Sequence, residues 1–113
     1  MTTLYGIPNC DTIKKARKWL TSHGVNYDFH DYKKQGINET LLRSWVNSEG
    51  WETLLNRRGM MWRKLSQDQR DNINEQNALK LMLSTPSIIK RPVLVMRDKI
   101  LIGFDETKYM DLF

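Results

Sequence analysis

"TTLYGIPNCDTIKKARKWLTSHGVNYDFHD" (residues 2–31) changes its hydrophobic period twice, and those changes decide the fold. "TTLYGI" (2–7) has the content of a short strand, and Gly6 and Pro8 punctuate its end. From Thr12 the period becomes helical: Ile13, Ala16 and Leu20 share one face, with Trp19 beside it. Asp11 or Thr12 is the expected N-cap, and Gly24 supplies the stop. "VNYDFHD" (25–31) then alternates Val25, Tyr27 and Phe29 with Asn26, Asp28 and His30, the period of a half-buried strand. Strand, helix and strand in that order predict a parallel pair with a right-handed crossover.

Beyond this unit the chain reads as helical. A helix is expected over 37–50, with Leu41, Leu42, Trp45 and Val46 as its apolar stripe and Gly50 as its end. "WETLLNRRGMMWRKL" (51–65) reads as a short helix followed by a loop around an Arg-Arg-Gly turn. Another helix is expected over 74–83, carrying Ala78, Leu79, Met82 and Leu83, and Pro86 prevents much continuation. "PVLVM" (92–96) is a continuous apolar run that suits a covered strand. Proline has no N–H to give a ladder, so Pro92 belongs at the first position of that strand. Arg97-Asp98 and "KILIGF" (99–104) complete an antiparallel hairpin, and a short helix capped by Asp105 closes the sequence. The order βαβ, helices, ββα predicts an α/β, thioredoxin-like fold. Its mixed four-stranded sheet is flanked by helices, with a helical insertion over about 33–84 between the βαβ and ββα halves.

The 113 residues suit one domain, 1–113, without internal repeats or linkers. No apolar run approaches the roughly 20 residues that span a bilayer, and "MTTLYGIPNC" lacks the pattern of a secretory signal. The chain has one cysteine, which cannot form an internal disulfide, so a reducing cytoplasmic location is expected. A monomer is the expected state. The formal charge of +5 favours anionic partners.

Cys10 lies where the first strand hands over to the first helix, in a loop with Pro8 and Asn9. The unpaired N–H groups and positive dipole end of a helix favour an anion there. Lys14 and Lys15 occupy the first helical turn, where cations are mildly unfavourable unless an anion is present. Each feature stabilises a thiolate, and Cys10 is expected to titrate below a free thiol. The same loop N–H groups can cradle an oxyanion or carboxylate. Redox loops of the thioredoxin type place a second cysteine three positions on, where this chain has Ile13. A mixed disulfide on Cys10 therefore needs an external thiol to resolve it, such as glutathione or a glutaredoxin.

"LYGIPNCDTIKKARKWL", "LLNRRGMMWRKL" and "IIKRPVLV", in this order and spacing, resemble the arsenate-reductase-related (ArsC-like) family over nearly the whole chain. The match is nearest to its small YffB-type branch, and the Spx regulators form a neighbouring branch. The resemblance implies a thioredoxin fold with Cys10 as the redox cysteine. It implies that Arg91, before Pro92, helps to bind the anion, and that an arginine of the middle loop assists: Arg58, with Arg57 as the runner-up. Asn9, Thr12, Lys14, Arg58, Arg91 and Pro92 are thus the candidate anion-binding residues around Cys10. A cis Arg91–Pro92 bond is a further hypothesis. The family's arsenate reductases carry a third arginine beyond the last strand, where Gly103 or Phe104 stands here, which counts against arsenate.

A glutathione-dependent thiol reductase is the reading these features support. The alternatives are an Spx-like regulator docking on RNA polymerase and a glutaredoxin-linked arsenate reductase. Ile13 counts against a disulfide-switched regulator. His23, expected at a helix end, and His30, expected on the polar face of a strand, are too few for a zinc site around Cys10, so no metal is expected. Trp19, Trp45, Trp51 and Trp62 fall mostly at helical anchor positions, which favours core packing over nucleic-acid stacking.

Overall fold

In the computed structural model, which describes Met1–Phe113, the opening stretch forms β1 (Thr2–Gly6), α1 (Asp11–Ser22) and β2 (Asp28–Asp31). β1 and β2 are parallel, with Leu4 beside Phe29 and Gly6 beside Asp31. β3 (Val93–Met96) lies on the other side of β1 and antiparallel to it, pairing Leu94 with Leu4 and Val93 with Tyr5. β4 (Lys99–Ile102) completes the hairpin, giving a sheet of order β2-β1-β3-β4. This is the expected thioredoxin-like, mixed four-stranded arrangement.

The chain divides into two compact units. The sheet unit comprises Met1–Gln35 and Arg91–Phe113. Its core forms because α1 turns Ala16, Trp19 and Leu20 onto Leu4 and Leu94, while Tyr109 of α8 (Glu106–Leu112) joins from the C-terminal end. Asp105 caps α8 as expected, accepting from the Thr107 and Lys108 N–H groups. β2 begins three residues later than the alternation suggested. Val25 and Tyr27 pack against the core without strand pairing, so the period of two reports burial there and not a ladder.

The helical unit is Gly36–Lys90, so the insertion starts and ends later than the expected 33–84. Lys33–Gln35 belong to α2 (Tyr32–Gln35), which packs on β2 in the sheet unit. Within the helical unit, α3 (Glu39–Glu49) packs on α4 (Trp51–Leu54) and on α7 (Glu75–Ser84). α5 (Met60–Arg63) follows the Arg-Arg-Gly turn, and α6 (Gln67–Asp71) is a helix the period did not reveal. Its signal was the capping box of Ser66 and Gln69, "SQDQ", in which each side chain satisfies the other's backbone N–H. After α7 a single 3₁₀ turn (Pro86–Ile88) leads to an antiparallel bridge between Ile89 and Leu55. No helix is long and apolar enough to cross a membrane.

Candidate functional site

The residue that caps α1 is Cys10 itself, with φ −117° and ψ 128°, and not Asp11 or Thr12 as the side-chain preferences suggested. Its carbonyl accepts the Lys14 N–H at 3.0 Å, which starts the helix, while its side chain makes no cap hydrogen bond. The thiol is half-buried and unbridged. Cap preference amounts to about 1 kcal/mol, less than the packing that fixes where the loop ends. Ile13, three residues on, is wholly buried and lies against Gly6. The position a second redox cysteine would take is therefore a core position.

Asn9 is exposed and Thr12 half-buried, while Lys14 and Lys15 point their charge outward from the first turn. Asp11, also exposed, sets one carboxylate against these two cations. Lysines at this end of the helix favour an anion near Cys10, and the Asp11 carboxylate opposes one.

Arg91 and Pro92 reach the same end of the sheet through register. The last pair of β1 and β3 is Tyr5 with Val93, so one residue further the two chains continue as Gly6 and Pro92. The Arg91–Pro92 bond is cis. The Pro92 carbonyl accepts from the Gly103 N–H at 2.8 Å, tying this turn to the end of β4. Pro92 is buried and Arg91 half-buried. Cys10, Asn9, Thr12, Lys14, Arg91 and Pro92 thus belong to the sheet unit, at or beside the end of β1 that leads into α1.

Tyr32, on which the Arg91 charge acts, carries no site signal in the sequence. Tyr32 follows β2 directly and is buried, with its hydroxyl lacking a protein partner. Burial pushes that hydroxyl far above the ordinary phenol range; Tyr5 raises it further, and the Arg91 charge lowers it in part. Tyr5 and Arg91 are therefore both electrostatic neighbours of Tyr32. His30 joins this group and not a polar face: its ring lies 4.8 Å from Tyr5 and 5.9 Å from Tyr32. Sequence periodicity carries no signal for this cluster, which depends on which strand ends coincide. His23 is the helix-end residue expected, with Nδ1 2.8 Å from the Trp19 carbonyl oxygen.

Arg57 and Arg58 lie in the helical unit. The Asn56 side-chain oxygen accepts the Arg58 N–H at 3.1 Å and fixes the turn. A β-carbon on Gly59 would come within 2.7 Å of the Asn56 side-chain nitrogen, so a larger residue there would displace that amide. Arg57 Cζ lies 5.2 Å from the Trp51 ring centre and 5.6 Å from that of Trp62. Trp19 and Trp45 are core residues, whereas Trp51 and Trp62 are half-buried and share this guanidinium. Arg58 is exposed, and its side chain has no such contact.

The stretch after β4 supplies no cation. Gly103 takes φ 83°, and Phe104 packs edge-on against Tyr109 at 5.0 Å. No three His, Cys, Asp or Glu side chains converge on a common point.

The model of the ArsC family matches residues 5–112. A solved protein named YFFB is 50% identical, covers 98% of this chain and 97% of its own, and superposes with a TM-score of 0.94. An arsenate reductase (ArsC) related protein from Brucella melitensis is 48% identical over 97% of this chain and 92% of its own, with a TM-score of 0.81. The global transcriptional regulator Spx of Streptococcus agalactiae is 32% identical over 94% of this chain and 78% of its own length.

Proposed function

Because the chain belongs to the ArsC family, we propose that it is a thiol-dependent oxidoreductase with Cys10 as nucleophile and glutathione, or a glutaredoxin, as the resolving thiol. The observation that carries this reading is Cys10 at the N-cap of α1, half-buried, with no cap hydrogen bond from its side chain. The N-cap is the position beside the unpaired N–H groups of the first turn, where an anionic group is favoured. With a mixed glutathione disulfide as substrate, the Cys10 thiolate attacks the glutathionyl sulfur. The substrate leaves as a thiolate and takes a proton from water. A glutathione thiolate then attacks the same sulfur on Cys10, giving oxidised glutathione and restoring the Cys10 thiolate. Lys14 and Arg91 orient the anionic group of the substrate, Arg58 assists, and Asn9, Thr12 and Pro92 shape the loop that receives it. The protein acts as a cytoplasmic monomer, and residues 1–113 form one domain, for which a single cooperative unfolding transition is the expected signature.

The test is mass spectrometry after incubation with oxidised glutathione, with turnover measured in parallel. One glutathione adduct on Cys10, and turnover abolished in Cys10→Ser, is expected. Turnover that survives the substitution would overturn the assignment. Arsenate is not the proposed substrate, because neither Gly103 nor Phe104 supplies the third cation; an assay with arsenate, glutathione and glutaredoxin checks this.

The similarity to Spx favours a second reading, a non-catalytic regulator docking on RNA polymerase. Under it, Cys10→Ser retains a stoichiometric partner in a pull-down from lysate, and no turnover is found in either form. Ile13 weighs against a disulfide-switched version, because it belongs to the core.

A further inference from the structure

Glu52, Leu55, Arg57, Arg58 and Lys90 line a cavity of about 360 Å³ that lies wholly within the helical unit. That volume falls in the range of roughly 300–1,000 Å³ typical of small-ligand sites. Its frame is set by backbone pairing: the Asn56 N–H donates to the Ile88 carbonyl at 2.9 Å, and the Lys90 N–H to the Leu54 carbonyl at 2.7 Å. Leu55 bridges Ile89 between them. Lys90 is therefore held in fixed register with the segment that leads into Arg57 and Arg58.

The charges in the cavity are not spent on one another. Arg57 is taken up by the faces of Trp51 and Trp62. Glu52, Arg58 and Lys90 pair with no other side chain. Two free cations and one free carboxylate therefore line one cavity over an apolar floor at Leu55. A simple oxyanion would leave Glu52 uncompensated and would be repelled by it. A ligand with two carboxylates and one ammonium group answers all three charges.

We infer that this cavity binds glutathione by its charged ends. The γ-glutamyl ammonium lies on Glu52, and the two carboxylates lie on Arg58 and Lys90. This assignment rests on the proposed use of glutathione as the resolving thiol. Glu52 is the specificity-determining group, because it rewards an amine that a plain anionic thiol lacks.

The test is calorimetric titration of the full chain with S-methylglutathione, which cannot exchange with Cys10. A matched analogue lacking the α-amine, and free L-glutamine, are titrated alongside. Saturable binding of S-methylglutathione is expected, weakened about 2- to 5-fold by Glu52→Gln, the range for loss of an exposed ion pair. Glu52→Gln should leave the affinity for the deamino analogue unchanged. Arg58→Gln and Lys90→Gln should weaken both peptide ligands, whereas Lys80→Gln, which removes the same charge from α7, should weaken neither. The inference is overturned if the wild-type protein shows no saturable binding. It is equally overturned if Glu52→Gln weakens both peptides alike, or if L-glutamine binds as tightly as S-methylglutathione. An adduct on Cys10 without this binding pattern leaves the redox function standing and removes the cavity assignment. The binding pattern without an adduct does the reverse.

Discussion

Ile13 occupies the space that a β-carbon on Gly6 would need: built on the Gly6 backbone, that carbon overlaps Ile13 Cδ1 and lies 3.0 Å from Cγ1. α1 thus rests directly on the end of β1, and the loop carrying Cys10 is strung between two points in close contact. Ile13 is wholly buried, so it has little room to yield. Gly6→Ala is expected to destabilise the fold by about 1–3 kcal/mol, the usual cost of overpacking. Urea denaturation measures it. An unchanged midpoint would mean that α1 can lift from the strand, and that the Cys10 loop is less firmly held than this contact indicates.

The same two-point contact bears on the missing second cysteine. Cys10 is the N-cap and Ile13 is the third residue of α1. Side chains at those two positions lie side by side, as the capping box demonstrates. Ile13→Cys is therefore expected to form an internal disulfide with Cys10 on oxidation, seen as the loss of a pair of hydrogens by mass spectrometry. The glutathione adduct should no longer accumulate, because the introduced thiol resolves it. The variant should also lose about 1–2 kcal/mol of stability through the smaller buried side chain. Persistent glutathione adduct would show that the introduced sulfur faces the core and cannot reach Cys10.

Cys10→Ser separates chemistry from folding. The cysteine makes no cap hydrogen bond, whereas serine is among the preferred N-caps, and its hydroxyl can accept from the N–H groups of the first turn. The variant should be as stable as the natural chain or more so, by up to about 1 kcal/mol, while losing turnover completely. A lowered melting temperature would mean that the thiol contributes packing that serine cannot replace, and loss of activity could then not be assigned to chemistry alone.

The parts legible in the sequence are those governed by local period and by punctuation. β1, α1, β3, β4 and α8 follow from apolar spacing, Gly and Pro positions and the Asp105 cap. α3 and α7 follow similarly, with Gly50 and Pro86 marking their ends. Three features depend on tertiary contact and were not readable. Cys10 replaces Asp11 and Thr12 as the cap because packing of Ile13 on Gly6 sets where the helix begins. Val25 and Tyr27 alternate like a strand but serve the core without a ladder partner. Arg57 and Arg58 are equivalent in sequence, yet Trp51 and Trp62 engage only the first, leaving Arg58 as the unencumbered cation. That difference comes from α4 and α5 bringing their rings to one guanidinium, which spacing does not encode. Arg91 is named by family resemblance, whereas the action of its charge on Tyr32 belongs to the folded sheet and has no counterpart in local spacing.

Tyr109 links the core to pH. Its ring lies edge-on to Trp19 at 5.4 Å and to Phe104 at 5.0 Å, and its hydroxyl is buried without a partner. Burial raises its pKa above the ordinary phenol value, and it also raises those of Tyr32 and Tyr5. The unfolded chain loses these protons near pH ~10, whereas the folded chain keeps them to higher pH. Above that point the unfolded state binds fewer protons than the folded one, so stability present at neutral pH is lost as pH rises. Alkaline titration of the urea midpoint should therefore show a decline beginning near pH ~10. Tyr109→Phe keeps both edge-on contacts and removes both the orphaned oxygen and its proton. It is expected to hold or raise stability at neutral pH, by up to about 1 kcal/mol, because no hydrogen bond is lost. It should also make the alkaline decline shallower. A loss of stability at neutral pH would instead identify a partner for the hydroxyl, since removing an unpaired oxygen leaves no acceptor or donor unsatisfied.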